Sequence, residues 1–236
     1  MATRVPILTY HKISPVHAKT LYPGTFVPPD LFEKHLGYLA RKGFDTMRLD
    51  TLFSGLEPAK PVILTFDDGF QDFEETAAPL LHRYDFGATV FLVSDFVGKT
   101  NAWDENIGDV TYPLLSKESI IRLHEQGYEF GSHTRSHIRL SSHDALTQDE
   151  EIRGSKADLE SLLGFPIQTF CYPYGSYDDN SLRSVRASGY QFATTCDKGL
   201  NDGTEDPLRL KRIAIRNDTS LPVFIYKLWR AFRLGR

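Results

Sequence analysis

The chain has 236 residues, a formal net charge of −4, and 41% hydrophobic and 25% charged residues, which is typical of a soluble globular protein. The negative charge argues against a nucleic-acid binder, and no apolar stretch approaches the roughly 20 residues that a membrane span needs. The N-terminus lacks the apolar core of a signal peptide, and the two cysteines lie in separate strand-like segments. These features predict a cytoplasmic protein with reduced thiols and no nucleic-acid partner.

Strands and helices alternate along the whole chain. In chain order, the sequence predicts strands at 5–13, 44–49, 62–66, 88–93, 128–131, 167–172, 190–196 and 212–216. It predicts the intervening helices at 31–42, 73–84, 116–127, 147–163 and 181–188. This alternation indicates a parallel α/β fold, and we expect a single domain over 1–236 with an N-terminal extension at 1–60.

Two adjacent carboxylates follow the predicted strand at 62–66. Asp67 and Asp68 come directly after this apolar and β-branched run, and Gly69 then lets the backbone turn. In parallel α/β proteins, the C-terminal ends of strands carry the functional residues. Because successive side chains near a strand end point in different directions, one carboxylate can bind a metal while the other accepts a proton. A solvated acidic turn is the alternative that this stretch alone leaves open.

A pair of histidines follows the strand at 128–131. His133 and His137 are four positions apart, and two imidazoles with one carboxylate suit a borderline divalent ion such as zinc, with Asp68 supplying an oxygen. Three protein ligands leave positions open for water and substrate, which is the pattern of a catalytic metal site. Taken alone, such a pair is more often two loop histidines that cap backbone groups, but the two motifs together are far more specific.

The motifs resemble those of a known family. Polysaccharide deacetylases (carbohydrate esterase family 4, the NodB homology domain) carry successive motifs that are similar to Thr65-Phe66-Asp67-Asp68-Gly69, His133-Thr134-x-x-His137 and Tyr172-Pro173-Tyr174-Gly175. The likeness extends from about Val5 to about Ile215. It implies a distorted (β/α)7-type barrel and a metal-dependent deacetylase that removes an N-acetyl or O-acetyl group from a sugar in a glycan.

The resemblance also implies roles for individual residues. Asp67 takes the place of the general base, and Asp68, His133 and His137 take the places of the ligands to one divalent metal. We expect this metal to be Zn²⁺, with Co²⁺ or Ni²⁺ as alternatives. Tyr174 lies where the family uses a backbone N–H to stabilise the tetrahedral oxyanion.

Two residues of the family pattern are absent from their usual places. Cys171 stands where the family has an arginine that orients the catalytic aspartate. We expect Arg212, at the start of a late strand, to replace it, although a surface arginine at a strand end is an equal alternative. The late histidine that serves the family as general acid has no counterpart at 209–215. His11, at the end of the first strand, is our candidate for that role.

Further residues are candidates for substrate contacts. Trp103 and Asp104 lie in a long loop at 94–115, where an aromatic ring can stack on the apolar face of a sugar. A tryptophan that pins the loop to the barrel is equally compatible with the sequence. Tyr172 and Pro173 are also predicted to contact the carbohydrate.

The C-terminal stretch at 221–236 has the pattern of a basic amphipathic helix. One predicted face carries Phe224, Ile225, Leu228, Trp229 and Phe232, and the other carries Lys227, Arg230 and Arg233. Such a helix is typical of a membrane-surface element, and it is equally typical of a terminal helix packed on the barrel. The surface interpretation predicts a cytoplasmic enzyme peripheral to the inner membrane face. Its substrate would then be a lipid-linked or nascent glycan of surface-polysaccharide or O-antigen assembly.

Three functions stay open at the level of the sequence. The leading one is the metal-dependent sugar deacetylase. A deformylase or amidase acting on another amide is the second, because a metal-activated water does not discriminate between acyl groups. A catalytically degenerate carbohydrate-binding module is the third, motivated by the missing arginine and histidine. Retention of both aspartates and both histidines argues against degeneracy.

Overall fold

The computed structural model describes residues 4–55 and 58–234, which form a closed parallel barrel surrounded by helices. In this part of the chain the strands are β1 (Ile7–Tyr10), β2 (Asp45–Thr46), β3 (Pro61–Phe66), β4 (Thr89–Leu92), β5 (Glu129–Ser132), β6 (Thr169–Cys171), β7 (Phe192–Lys198) and β8 (Leu210–Ala214). The helices are α1 (Pro29–Arg41), α2 (Ala78–Arg83), α3 (Lys117–Glu125), α4 (Ala145–Leu163), α5 (Asp179–Ala187) and α6 (Leu221–Leu234).

The barrel closes where β1 pairs with two partners. The strands lie in the order β1-β8-β7-β6-β5-β4-β3-β2, and β1 also pairs with β3. Along β1, Tyr10 pairs with Phe66 of β3, and Leu8 also pairs with Ile213 of β8. Seven of the strands in the described ranges therefore form the closed ring, and β2 extends it beyond β3. The predicted (β/α)7-type barrel is confirmed.

Helix boundaries differ from the prediction where a polar side chain caps the first turn. The Asp144 carboxylate accepts a hydrogen bond from Thr147 N–H, so α4 begins at Ala145 rather than at 147. Asp178 caps α5 in the same way, and its own backbone N–H donates in return to the Ser181 hydroxyl oxygen at 2.7 Å. The predicted strand at 44–49 is shorter in the structure. Only the two residues of β2 form strand pairs, with the first two residues of β3.

Side chains fill the inside of the barrel. Alternate residues of the strands point inward, so that Ile7, Ile63, Phe91 and Cys171 belong to a compact inner cluster. Their neighbours point outward into the larger core beneath the helices. Because the interior is packed, a ligand can reach the strand residues only at the ends of the barrel.

None of the helices in the described ranges has both the length and the apolar character needed to cross a bilayer.

Candidate metal centre and active site

Sharp backbone turns at the C-terminal ends of β3 and β5 bring the motif residues together. Asp68 and Gly69 both have positive φ angles (75° and 73°), and so do Thr134 (65°) and His137 (61°). A β-branched residue such as Thr134 rarely adopts this conformation, and such strain concentrates at functional sites. The Thr134 hydroxyl oxygen accepts a hydrogen bond from His137 N–H at 3.0 Å, which holds the turn.

Asp68, His133 and His137 form a buried three-residue group. The Asp68 Oδ1 atom lies 3.5 Å from His133 Nε2 and 3.2 Å from His137 Nε2. The ligand atoms of all three residues lie within 4.8 Å of one another, which is the spacing expected for ligands of a common ion.

Both imidazoles are oriented by contacts on their other nitrogen. His133 Nδ1 lies 2.7 Å from the Cys171 carbonyl oxygen, which only accepts, so Nδ1 carries the proton and Nε2 keeps its lone pair. His137 Nδ1 lies 3.1 Å from the Tyr174 hydroxyl. Burial, with the neighbouring His137, lowers the pKa of His133 to about 4, so its imidazole is neutral at physiological pH, as a metal ligand must be.

The group fits a divalent cation. Asp68 Oδ1 is buried and has no hydrogen-bond partner among the described residues. Burial would raise the pKa of Asp68, but the adjacent His137 holds it well below its usual range, so the carboxylate is ionised. A buried, ionised oxygen without a donor, facing two imidazole nitrogens, is the donor set of a catalytic zinc-type site.

Asp67 points to the other side and forms a buried ion pair with Arg212 of β8. Arg212 donates from both terminal nitrogens, at 2.7 Å to Asp67 Oδ1 and 2.8 Å to Oδ2. The guanidinium is further held by the Thr195 carbonyl at 2.9 Å and by the Cys171 thiol at 3.2 Å. Burial would raise the pKa of Asp67, but Arg212 holds it below its usual value. Arg212 thus supplies the positive charge beside Asp67 that Cys171, a neutral residue in contact with the same carboxylate, does not provide.

His11 lies beside the same carboxylate. Its Nε2 atom is 3.9 Å from Asp67 Oδ2, and its side chain is partly exposed to the cleft. Burial lowers the pKa of His11, although Asp67 and Asp68 oppose the shift. The end of β1 therefore supplies an imidazole to the same side of the centre as Asp67.

A cleft of about 240 Å³ opens above these residues. The Trp103 ring stacks on His137 with 4.7 Å between ring centroids, and Phe96 packs edge-on against the tryptophan. Asp104 accepts a hydrogen bond from the Asn101 side chain at 2.6 Å. Trp103 and Asp104 both line the cleft, so the loop at 94–115 forms one wall.

Two sequence predictions are wrong at this point. Tyr172 and Pro173 are buried and do not line the cleft. Strand alternation explains this, because Cys171 points into the barrel and Tyr172 therefore points outward, beneath the helices. There its hydroxyl donates to the Leu208 carbonyl at 3.1 Å.

Several residues that line the cleft carry no recognisable motif in the sequence. Lys12 follows His11, and its buried ammonium lies 3.8 Å from the centroid of the Phe70 ring. Arg139 stacks its guanidinium on Tyr174 at 3.9 Å. The other missed lining residues are Thr9, Tyr22, Thr25, Cys196, Lys198 and Ala214. The only sequence signal for Lys12 and Arg139 is that they follow His11 and His137 within two positions.

Comparison with known proteins identifies the family. The family model described as polysaccharide deacetylase matches residues 55–193, which is more than half of the chain. The chain belongs to the polysaccharide deacetylase family. The expected enzyme class, a hydrolase that cleaves carbon–nitrogen bonds other than peptide bonds, is thereby confirmed.

Individual relatives agree with this placement. YxkH of Bacillus subtilis, a protein assigned to the polysaccharide deacetylases, is 26% identical over 217 residues, covering 90% of this chain and 71% of that protein. The poly-β-1,6-N-acetyl-D-glucosamine N-deacetylase of Staphylococcus epidermidis is 29% identical over 175 residues, or 70% of this chain. This chain spans 57% of the length of the staphylococcal enzyme.

Solved structures of the family share the fold. The Streptococcus pyogenes deacetylase PplD, determined in complex with acetate, has a TM-score of 0.80 and 26% identity, covering 96% of this chain and 99% of PplD. The polysaccharide deacetylase BC0361 of Bacillus cereus has a TM-score of 0.82 and 27% identity, covering 96% of this chain and 69% of that chain.

Proposed function

We propose that this polysaccharide deacetylase is a metal-dependent enzyme that removes the N-acetyl group from an N-acetylhexosamine of a glycan. One observation carries the proposal. The Asp67 carboxylate, held ionised by Arg212, lies within 4.8 Å of a His133 ring nitrogen, beside the group formed by Asp68, His133 and His137. A base and a metal-binding group are thus adjacent at the mouth of one cleft.

Asp68, His133 and His137 would hold the metal, which we propose to be Zn²⁺, with Co²⁺ or Ni²⁺ as substitutes. One carboxylate oxygen and two imidazole nitrogens are a donor set that suits these borderline ions. When bound, such an ion polarises a carbonyl and lowers the pKa of a water from 15.7 to about 7.

The chain's own residues would move the protons. Asp67 accepts the proton of the attacking water, and Arg212 keeps the carboxylate in place and ionised before the reaction. The backbone N–H of Tyr174 stabilises the developing oxyanion. His11, whose Nε2 atom lies 3.9 Å from Asp67 Oδ2, relays this proton from Asp67 to the departing amine as the carbon–nitrogen bond breaks. Acetate and a free amino sugar are then the products.

The substrate is proposed to be a polymer of N-acetylglucosamine. The staphylococcal relative is named for poly-β-1,6-N-acetyl-D-glucosamine, and the cleft of about 240 Å³ at the barrel mouth has room for a sugar beside the proposed base and metal ligands. A lipid-linked or O-antigen precursor presents the same acetamido group. Assays on a soluble oligomer and on a lipid-linked sugar would separate these two substrate forms.

The decisive experiment combines metal analysis with product release. The purified protein is expected to contain about one divalent ion per chain and to release acetate from N-acetylglucosamine oligomers, with loss of activity in chelator and recovery with Zn²⁺. Release of formate, or turnover of unrelated amides only, would instead favour the deformylase or amidase. A metal-free protein that binds the oligomer without acetate release would favour the binding module.

Two variants separate the roles of the neighbouring residues. We expect Asp67→Asn to retain the metal and to lose turnover, because the amide cannot accept the proton of water. We expect His133→Ala to lose both metal and turnover. Near-normal activity of Asp67→Asn would contradict the assignment of the base.

We further propose that α6 contacts the cytoplasmic face of a membrane. Phe224 and Leu228 of this helix are buried, with Phe224 stacked on His35 of α1, but Tyr226 and Trp229 are 54% and 50% exposed and stack on each other. Aromatic and basic side chains together favour the interface of an anionic bilayer. Flotation with anionic vesicles tests the contact, and absence of binding at low salt would contradict it.

A further inference from the structure

A second, larger concavity lies at the end of the barrel opposite the metal centre. This groove, of about 1030 Å³, is bounded by α1, α6 and the beginning of β3. Its apolar surface comes from the aromatic rings of Tyr38, Phe44 and Phe232 and from Leu228. Phe44 and Phe232 pack together with 6.1 Å between their ring centroids. The groove shares no residue with the metal cleft.

The rim of the groove is strongly basic. Arg4, Lys42, Lys60 and Arg233 line it, against a single carboxylate, Asp202. Within the described residues, none of these four cations lies within ion-pair distance of a carboxylate. This local charge contrasts with the net charge of −4 of the whole chain.

Backbone carbonyls and aromatic rings hold the cations at the rim. Arg4 donates to the Phe232 carbonyl at 2.9 Å, and Lys60 donates to the Lys42 carbonyl at 2.9 Å. The Arg233 guanidinium lies 5.6 Å from the centroid of the Trp229 ring. These contacts place the charges around the apolar surface without neutralising them, so they are available to an anionic ligand.

We infer that this groove binds an anionic phospholipid of a membrane surface, with an acyl chain along the apolar surface and the phosphate among the basic side chains. The basic rim complements the phosphate of such a lipid, and the apolar surface complements its acyl chain. The half-exposed Trp229 lines the groove and Tyr226 stacks on it, and tryptophan and tyrosine favour the depth at which lipid head groups lie. A nucleic acid would match the cations but not the apolar surface.

The inference does not depend on hydrolysis, because no residue of the groove takes part in the proposed reaction. Lipid binding in this groove also defines how the barrel is oriented relative to the bilayer. A barrel seated on a bilayer through this end carries its metal cleft on the side that faces away from the lipid. The cleft would therefore meet glycan that projects from the surface rather than sugar lying among the head groups.

The test uses a short-chain phosphatidylglycerol kept below its micelle-forming concentration, so that binding is to single lipids. Calorimetry should show saturable binding, and tryptophan emission should shift to shorter wavelengths as the Trp229 ring is covered, a shift that Trp229→Ala, which keeps only Trp103, should lack. Phosphatidylcholine of the same chain length should bind at least about tenfold more weakly, because each basic residue near an anionic head group contributes roughly fivefold in affinity. Inorganic phosphate should compete poorly.

Variants assign the binding to the groove. Lys42→Gln/Lys60→Gln should weaken phosphatidylglycerol binding by about tenfold or more, whereas Lys19→Gln/Lys117→Gln, which removes the same charge from exposed sites elsewhere, should not. Trp229→Ala tests the apolar part, since a half-exposed side chain can be removed without opening the core. Unfolding temperatures of all variants verify that they are folded.

Three results would overturn the inference. The first is a failure of selectivity: phosphatidylcholine binds as tightly as phosphatidylglycerol, or the lysine variants bind phosphatidylglycerol as tightly as the wild type. The second is competition by inorganic phosphate as strong as that of the lipid, which indicates an anion site only. The third is self-association that the groove variants abolish in the absence of any lipid response, which would make a second copy of the chain the occupant.

Discussion

Arg212 and Asp67 are 145 positions apart in the chain, yet both terminal nitrogens of the arginine contact both oxygens of the carboxylate, at 2.7 and 2.8 Å. The pair is buried, so removal of one partner leaves an uncompensated charge. We expect Arg212→Met to lower the free energy of unfolding by about 3–5 kcal/mol and to reduce kcat by at least about 100-fold, as measured by denaturant titration and acetate release.

The double variant Asp67→Asn/Arg212→Met provides the control for this prediction. It removes both charges, so most of the lost stability should return while activity stays absent. Equal stability of Arg212→Met and the wild type would show that the pair contributes nothing to the fold.

Tyr174 is expected to affect metal affinity through His137. Its hydroxyl lies 3.1 Å from His137 Nδ1, and such contacts orient a metal-binding imidazole. Tyr174→Phe should weaken metal binding by about 10- to 100-fold in a chelator competition, with little change in unfolding temperature. Tyr226→Phe removes an exposed hydroxyl far from the centre and should leave metal affinity unchanged. An unaltered affinity in Tyr174→Phe would mean that the contact is incidental.

His11→Gln should reduce kcat by roughly 10²- to 10⁴-fold while the metal stays bound, because proton delivery to the leaving amine is lost and none of the metal ligands is altered. Steady-state kinetics and metal analysis measure the two effects. His143→Gln, at an exposed position outside the cleft, serves as the matched control. An unchanged rate in His11→Gln would remove this histidine from the mechanism.

We expect the buried Glu129 to make the free energy of unfolding depend on pH. It accepts hydrogen bonds from Thr89 and Thr169 inside the barrel, and burial, with Asp50 nearby, raises its pKa from 4.5 to about 7. Between these values the folded protein keeps a proton that the unfolded chain releases. The free energy of unfolding should therefore fall as the pH rises from 4.5 to 7, by about 3 kcal/mol, and level off above that range.

Glu129→Gln tests this directly, because an amide keeps the size of the side chain but cannot ionise. Unfolding titrations at several pH values should show that the contribution between pH 4.5 and 7 disappears in the variant. The same slope in both proteins would assign the pH dependence to another group, such as Asp72, whose pKa burial also raises to about 7.

The sequence predicts the alternation of strands and helices and the motif residues because both depend on local patterns, whereas the closed barrel is implied by the family resemblance. Apolar runs mark the strands, and the turns that follow them carry Asp67, Asp68, His133 and His137. The role of Arg212 does not follow from a local pattern, because its contact with Asp67 depends on β8 lying between β1 and β7 in the barrel. Without the family resemblance, nothing near Arg212 in the chain distinguishes it from a surface arginine.

Other features depend on the direction in which a side chain of a strand or helix points. Tyr172 belongs to a family motif, but it directly follows the inward-pointing Cys171. Its side chain therefore points away from the barrel interior, into the core beneath the helices. The helical pattern places Trp229 on the apolar face of the terminal helix, yet the residue is half exposed, because the part of this face that packs on α1 is centred on Phe224. The depth of a side chain in a groove formed by distant elements is a tertiary property, and helical periodicity alone does not determine it.

Closure of the barrel by β8 has a consequence for biosynthesis. The three proposed metal ligands all lie within the first 137 residues, whereas the partner of Asp67 emerges from the ribosome only with Arg212. Chains are made from the N-terminus at about 5–20 residues per second, so the proposed ligands are synthesised several seconds before the cation that pairs with Asp67. A chain released before β8 would carry all three proposed ligands but leave Asp67 without its cation, so the ion pair forms only with the last strand.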